Sequence, residues 1–228
     1  MTEQLNSLEL HDLFRQCADI GMLSTVRPIS FSCVHKTDFC GTTCYNFKLY
    51  KMYPKMYDRE ERSEIIWQKL NRHNSDFTKF FSRKRKQTER IRLMNRGEAL
   101  KDTKDVFRVK TICLLNPDQL WWLPTRAWRN PRLKLLIEKE LMTLANCAVN
   151  ASFDPSNTDA EWKMMQDSDW NIMFYGDDNM LNAPVYNKKM FKCPKTWKKM
   201  KGHCDTCKAG CFAQKTIGRT QIVHLSQH

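Results

Sequence analysis

The sequence predicts an α+β fold that is mainly helical, with short strands and small zinc-stabilised modules. Apolar residues recur at helical spacing over several segments, whereas the alternation typical of strands is confined to short runs. Cysteine and histidine residues also form two clusters with the spacing of metal ligands. With 228 residues, of which 41% are apolar, the chain is long enough to bury a core around such modules.

The denser cluster of potential metal ligands lies near the C-terminal end. Cys204 and Cys207 form a C-x2-C pair, which lets two thiolates face one ion from a tight turn. The other members are Cys211 and either Cys193 or His203 as the fourth ligand. A disulfide or a redox pair is the alternative, but the strand and helix that flank a thioredoxin-like motif are not predicted here. We therefore predict a structural zinc site.

A second cluster lies in the N-terminal quarter of the chain. Its potential ligands are Cys33, His35, Cys40 and Cys44. The residues around Cys33 alternate as in a strand, and Gly41 to Thr43 are typical of a turn, so a hairpin is predicted to carry the four side chains. Three interpretations stay open: a second zinc site, a buried thiol with an unrelated surface histidine, or both clusters around one ion.

The remaining elements follow from periodicity and capping. Helices are predicted over residues 7–20, 58–73 and 76–96, from Asn130 with Pro131 at its first position, and after Thr158 with Glu161 in a capping box. Strands are predicted over residues 105–115 and 221–225. The stripe from Leu133 to Ala148 is predicted to be the central core helix.

Basic residues dominate the charge of the chain. The formal net charge is +13, which favours a polyanionic partner, most simply DNA or RNA. The residues predicted to contact phosphates are Arg83, Lys84, Arg85, Lys86, Arg90, Arg92, Lys198 and Lys199. The run from Arg83 to Lys86 also fits a nuclear import signal, and a solvated helical face is the simpler alternative.

Three tryptophans, Trp121, Trp122 and Trp128, stand within eight residues beside Arg126 and Arg129. Such a segment could stack on bases or anchor a partner protein of host or viral origin. Burial of the three rings at a bend in the core is the more common arrangement.

Three regions are predicted. Residues 1–57 are a helix plus the Cys/His hairpin, residues 58–187 hold the basic helices, the tryptophan segment and the core helix, and residues 188–228 form the basic C-terminal zinc module. The N-terminus does not read as a signal peptide and no apolar run reaches the length of a membrane span. Free cysteines with metal spacing favour a reducing compartment, and we expect no membrane partner.

The basic run from Lys192 that passes Trp197 and ends in the C-x2-C pair resembles the non-capsid accessory nucleoproteins of parvoviruses, the bocaparvovirus type especially. The resemblance implies a viral regulator in the host nucleus that supports DNA replication and RNA processing and dampens interferon signalling. The chain lacks the long Arg/Ser-rich N-terminus of that family and adds the Cys33 to Cys44 cluster. Lentiviral infectivity factors are a looser likeness, and their His-Cys-Cys-His pattern is not reproduced here.

Catalytic patterns are missing from the sequence. It contains no glycine-rich phosphate loop, nucleophile elbow, H-E-x-x-H helix or zinc-deaminase signature. We therefore predict a non-enzymatic viral regulatory protein of the host nucleus that binds nucleic acid through basic surfaces, with Zn2+ as its cofactor. The alternative is a protein-binding adaptor or antagonist of host innate immunity that uses its tryptophans.

Overall fold

An eight-stranded sheet organises the chain in the computed structural model. The structure describes residues 5, 7–17, 20–71, 90–168, 170–177, 190–197, 204, 207–213 and 221–226. The strands are β1 (Arg15–Cys17), β2 (Met22–Val26), β3 (Arg90–Arg96), β4 (Leu120–Thr125), β5 (Cys147–Phe153), β6 (Asn171–Tyr175), β7 (Met190–Lys192) and β8 (Ile222–Leu225). All neighbouring strands are parallel except β1 and β2, which makes the architecture α/β.

The helices lie in the connections between the strands. They are α1 (Ser7–Leu13), α2 (Ile29–Ser32), α3 (Asp38–Thr43), α4 (Tyr45–Met52), α5 (Pro54–Lys69), α6 (Thr103–Leu115), α7 (Pro131–Glu140), α8 (Asp159–Asp167) and α9 (Pro194–Trp197). A 3-10 turn at Ala127–Arg129 precedes α7. No helix in the described ranges is long and apolar enough to cross a membrane.

The strand order, β1-β2-β3-β4-β5-β6-β8-β7, places the long helices on one face of the sheet. From β2 to β6, each strand lies beside the strand that precedes it in the chain, and the sheet grows towards the same edge each time. Connections between parallel strands are right-handed, so all of these steps carry their helices over the same face. The core forms there, where apolar strand residues such as Ile91 and Val149 pack with Trp67 of α5, Ile137 of α7 and Trp162 of α8.

The last two strands reverse this direction. Because β8 inserts between β6 and β7, the step from β7 to β8 runs backwards, and a right-handed connection must then cross the opposite face. The contacts agree with this path. The backbone N–H of Cys204 donates to the carbonyl of Ile20 at 3.0 Å, and the ring of Phe212 lies 5.7 Å from that of Trp122. The described part of the connection between β7 and β8, which includes Cys204 and Phe212, therefore covers part of the second face. We call it the outer wall.

The caps predicted for two helices are confirmed. The side chain of Asn130 accepts hydrogen bonds from the N–H groups of Arg132 and Leu133, with Pro131 at the first helical position. Thr158 and Glu161 form the reciprocal capping box of α8. In both cases the signal is local, so it does not depend on which elements pack nearby.

The predicted α+β class is wrong, because the chain forms a single mainly parallel sheet. Residues 105–115 lie in helix α6 instead of a strand, and Arg90–Arg96, placed in a predicted helix, is strand β3. The predicted core helix ends at Glu140, and the apolar residues from Cys147 form strand β5. Parallel strands buried on both faces lose the alternation of a strand, which explains why β5 was assigned to the preceding helix.

The zinc-stabilised modules predicted as part of the fold are also wrong. Residues 29–52 form the short helices α2, α3 and α4 instead of a hairpin. Among the residues that the structure describes, no three His, Cys, Asp or Glu side chains form a group that could hold a metal ion. The core beneath the sheet, with its large apolar cluster, stabilises the fold instead.

A buried arginine joins the end of β2 to two helices. The side chain of Arg27 has no exposed surface, and its guanidinium binds Glu64 of α5 at 2.5 Å and Asp105 of α6 at 2.8 Å. It also donates to the carbonyl of Ala99 at 2.9 Å. Asp105 accepts a further hydrogen bond from Trp67 Nε1 at 2.8 Å. The buried charge is thereby fully paired, as a low-dielectric interior requires.

We expect the Gly97→Ala variant to be about 2 kcal/mol less stable than the wild type, because a Cβ is strained at this backbone position. Gly97 has φ +79°, and an added Cβ would clash with the carbonyl oxygen of Arg27. Urea unfolding followed by circular dichroism measures the change. Gly41→Ala in α3 is the matched control, because its nearest neighbour is a Lys36 side-chain carbon at 3.8 Å. Equal stability of the two variants would contradict the expectation.

Candidate functional site

A cavity of about 630 Å³ opens at the carboxyl ends of the parallel strands. Its lining includes Arg96 at the end of β3, Pro124 of β4, Ser152 of β5, Tyr175 of β6 and Leu225 of β8. Helices α3 and α4 and the wall that follows β7 complete it. Ligands of open α/β sheets bind in the crevice at this edge, and the volume suits a ligand of nucleotide size.

An irregularity in β3 turns additional side chains towards the cavity. Ser24 pairs with Arg92 and Val26 with Arg96, so β3 has two more residues than β2 between these pairs. Met94 within this bulge has φ 60°, an uncommon value for a residue with a side chain, and its N–H donates to Thr25 Oγ1 at 2.9 Å. Bulges next to functional sites often redirect side chains in this way.

Arg92 and Trp122 form a stacked pair inside the cavity. The guanidinium carbon of Arg92 lies 4.6 Å from the ring centroid of Trp122, which is 3% exposed. Within the described ranges, the buried Arg92 Nε, Trp122 Nε1 and Asn46 Oδ1 atoms have no hydrogen-bond partner. All three residues line the cavity. Buried polar groups are nearly always satisfied, so these three atoms are exceptions among the residues that line the cavity.

An ion pair fixes another wall of the cavity. Arg126 binds Asp154 at 2.8 Å, and Asp154 accepts from the hydroxyl of Thr37 at 2.5 Å. Thr37 also caps α3 by accepting from the N–H of Cys40 at 3.0 Å. Burial alone would raise the pKa of Asp154, but the Arg126 charge and the hydrogen bonds outweigh it and lower that pKa. The network therefore joins α3 to the end of β5.

A carboxylate lies at the base of the same wall. Glu98 is buried, and it accepts hydrogen bonds from the N–H groups of Leu100 and Arg126 and from the hydroxyl of Thr125. Desolvation outweighs these bonds and raises the pKa of Glu98. Its backbone N–H donates to Ser32 Oγ at 3.0 Å, which ties the loop after β3 to helix α2.

The cysteines predicted near the N-terminus line this cavity. Cys33 ends α2, Cys40 lies in α3 and Cys44 separates α3 from α4. Desolvation, together with Glu98 and the neighbouring thiols Cys40 and Cys44, raises the pKa of Cys33 to about 12. Of the predicted set, His35 has Nε2 3.2 Å from the carbonyl of Lys101.

The C-terminal cysteines are also brought together. Burial raises the pKa of Cys211, and Cys193, Cys204 and Cys207 raise it further, so the four thiols influence one another electrostatically. Cys193 and Cys204 line the cavity from the side opposite α3. His203 lies outside the described residues. The four described cysteines do not form a group that could hold a metal ion, and a zinc ion bound with the help of His203 stays a prediction.

The structure describes only some of the residues that were predicted to contact nucleic acid. Arg83, Lys84, Arg85, Lys86, Lys198 and Lys199 lie outside the described residues. Arg90 donates to the carbonyl of Cys207 at 2.9 Å and lies over the ring of Phe212, so it helps to hold the outer wall. Only Arg92 of the described members lines the cavity.

The three tryptophans of the central segment are buried. Trp121, Trp122 and Trp128 are 0%, 3% and 1% exposed. Trp128 stacks on Phe153 with ring centroids 4.7 Å apart, which places it in the core. None of the three offers an outer surface to a partner protein, and Trp122 is among the residues that line the cavity.

Comparison with known proteins places the chain in a family. The model of the family described as gene product 88 matches residues 17–214, which is most of the chain. The chain belongs to this family. The match includes both cysteine clusters and every parallel strand except β8. It supports a viral gene product and names no activity. No curated protein and no solved structure matches the chain, and the resemblance to parvovirus nucleoproteins stays a hypothesis.

Sequence reasoning missed Glu98 and Asp154, and it noted Arg126 only as a neighbour of the three tryptophans. Each directly follows a parallel strand or lies one residue further on, where polar side chains gather at the carboxyl edge. That signal becomes readable only when the strands are assigned, and β3 was predicted to be helical.

We expect the Asp154→Asn variant to lose about 3 kcal/mol of stability at pH 7, because Arg126 would keep a buried charge without its anionic partner. The lowered pKa of Asp154 means that its ionised form stabilises the fold above the unfolded-state pKa of about 3.9, and that this contribution is lost as the pH falls through the folded-state value. Urea unfolding at both ends of this range should show the difference from wild type shrinking in acid.

The control for this prediction is Asp58→Asn, since Asp58 is exposed on α5. We expect this variant to unfold like the wild type at both pH values. A stability difference for Asp154→Asn that stays constant with pH would show that the carboxylate charge does not matter.

Proposed function

We propose that this viral protein binds nucleic acid and takes one nucleotide of a strand into the cavity at the carboxyl edge of its sheet. The observation that carries the proposal is the Arg92–Trp122 pair, in which a guanidinium group lies over an indole ring in the lining of the cavity. Guanidinium groups bind phosphate oxygens and base edges, and aromatic rings stack on bases.

The charge of the cavity supports an anionic ligand. Lys36, Lys195, Arg92, Arg96 and Arg126 contribute to its lining. Arg126 is paired with Asp154 and Arg96 with Glu60 at 2.5 Å, so these two cations are partly neutralised. The net charge of +13 would attract a polyanion from a distance. The cavity would then determine how one nucleotide of that polyanion binds.

Apolar and aromatic surfaces in the same cavity favour a nucleotide over a free phosphate. Trp122, Met94, Met173 and Tyr175 line it together with the cations. Aromatic side chains and stacked guanidinium groups are the usual platforms for the bases of single strands. A role in replication or RNA processing in the host nucleus would follow from such binding and stays a prediction, as does the absence of enzymatic activity.

Replacing Arg92 with Gln should weaken binding of a labelled single-stranded oligonucleotide about tenfold, because a contact from the cavity is lost. Fluorescence anisotropy at fixed salt measures the affinity with DNA and with RNA. A mononucleotide should compete for the site in the wild type, since the cavity admits one nucleotide.

The matched control is Arg132→Gln, which removes the same charge from the exposed side of α7. Equal losses for the two variants would mean that nucleic acid is attracted by surface charge alone and that the cavity is not its site. A wild-type protein that binds neither DNA nor RNA at low salt would overturn the proposal.

A further inference from the structure

We propose that the outer face of α4 and the start of α5 bind a single strand of nucleic acid beside the cavity. We call this the α4 surface, and its members are Tyr45, Phe47, Lys48, Lys51, Met52, Tyr53 and Lys55. The segment that contains it, CYNFKLYKMYPKMY, has five aromatic residues, three lysines and no acidic residue. The inference rests on the proposed function and adds to it the surface on which the rest of the strand would lie.

Helix α4 presents one side to the cavity and another to the exterior. Asn46 and Leu49 line the cavity. Phe47 and Lys51 are exposed, and because they are four residues apart they share the side of the helix that points away from it. Tyr45 lines the cavity and is also 44% exposed, so it lies at the mouth. A strand that leaves the cavity would therefore reach the α4 surface directly.

The α4 surface exposes large apolar and aromatic side chains. Phe47, Met52 and Tyr53 are 42%, 60% and 61% exposed. Single exposed apolar residues are common on proteins, but several close together mark an interaction surface. Aromatic rings in such a place are platforms on which the bases of a single strand stack.

The lysines of the α4 surface give it a positive charge. Lys48, Lys51 and Lys55 are exposed, and among the described residues none of the three forms an ion pair. The first acidic residue after them in the chain is Asp58. Lysines without a carboxylate partner can bind phosphates, so the charge of the surface complements that of a nucleic acid.

Packing beneath the α4 surface holds it in place. The rings of Tyr50 and Tyr57 meet edge to face with centroids 5.4 Å apart, and the Tyr50 hydroxyl donates to Glu60. The N–H of Tyr53 donates to the carbonyl of Leu49 at 2.7 Å, which fixes the junction between α4 and α5. A surface that is ordered before binding loses less conformational entropy when the ligand arrives.

The dimensions of the α4 surface suit a short stretch of single strand. The eight residues of α4 extend about 12 Å, and successive nucleotides of one strand are about 3.4 Å apart, so about three nucleotides fit beside the one in the cavity. Paired bases are stacked within a duplex and cannot stack on exposed rings, so the ligand is single-stranded. Anionic membranes also attract lysines and aromatic rings, but the direct continuation into the cavity favours a strand.

The test measures binding of a labelled single-stranded oligonucleotide of about ten nucleotides by fluorescence anisotropy, with DNA and with RNA. Tyr53→Leu should weaken binding about tenfold because the stacking ring is lost, whereas Tyr53→Phe should bind like the wild type. The double variant Lys48→Gln/Lys51→Gln should reduce the slope of log affinity against log salt by about 1.4, because two phosphate contacts are removed.

Matched controls lie on the helical face of the sheet. Phe107→Leu removes a ring that is 49% exposed on α6. Lys104→Gln/Lys139→Gln removes two exposed lysines from α6 and α7. We expect both controls to bind the oligonucleotide with the affinity and the salt slope of the wild type. Circular dichroism checks that every variant keeps the secondary structure of the wild type.

A mononucleotide separates this inference from the proposed function, because it occupies the cavity alone. Isothermal titration should show that Tyr53→Leu keeps the wild-type affinity for a mononucleotide and that Arg92→Gln loses it. If Tyr53→Leu and the lysine variant bind the oligonucleotide like the wild type while the mononucleotide still binds, the α4 inference is wrong and the proposed function stands. If Arg92→Gln changes nothing while the α4 variants weaken oligonucleotide binding, the cavity proposal fails instead.

Two further results would overturn the inference. One is equal affinity of the wild type for the single strand and for the matching duplex. The other is a Tyr53→Leu variant that loses binding to vesicles of anionic phospholipid and keeps binding to the oligonucleotide, which would assign the α4 surface to a membrane.

Discussion

The buried guanidinium of Arg27 constrains the arrangement of the rest of the molecule. It is held between Glu64 and Asp105, and it also binds backbone carbonyls of the loop that follows β3. Removing both carboxylates would leave an unpaired charge in the interior, at a cost of about 3–5 kcal/mol. The interaction thus fixes α5, α6 and the loop at Gly97 relative to the end of β2. That loop carries Glu98 into the wall of the cavity.

The handedness of the connections explains why the cavity exists. Steps that all move in one direction place α5 to α8 on one face, where they cover the core. The second face lacks long helices in the described part of the chain, and the short helices after β2 and the wall after β7 cover it instead. The cavity lies between these coverings, above the carboxyl ends of the strands.

Local signals in the sequence predicted some elements correctly. The caps at Asn130 and Thr158 and the strand near residues 222–225 are found as expected, because a cap is satisfied by its nearest neighbours. The short spacing of the cysteines likewise indicated that Cys33, Cys40 and Cys44 lie in one region, and all three line the cavity. Their position at a cavity could not be predicted, since it depends on strands that are far apart in the sequence.

The fold class failed for a different physical reason. Strands β4 and β5 are buried on nearly every residue, so their sequences lack alternation and read as helix or as an irregular tryptophan segment. Conversely, α6 contains Val106, Phe107, Val109 and Ile112, whose β-branched and aromatic side chains favour a strand by propensity alone. Tertiary packing decided both cases, and only the neighbouring elements supply that information.

The position of β8 between β6 and β7 has a consequence for the order of assembly. The strand that completes the sheet is the last one to be synthesised, and the outer wall of the cavity immediately precedes it. Ile222 of β8 also belongs to the core cluster, so the core and the cavity would both be completed only after residue 225 has left the exit tunnel.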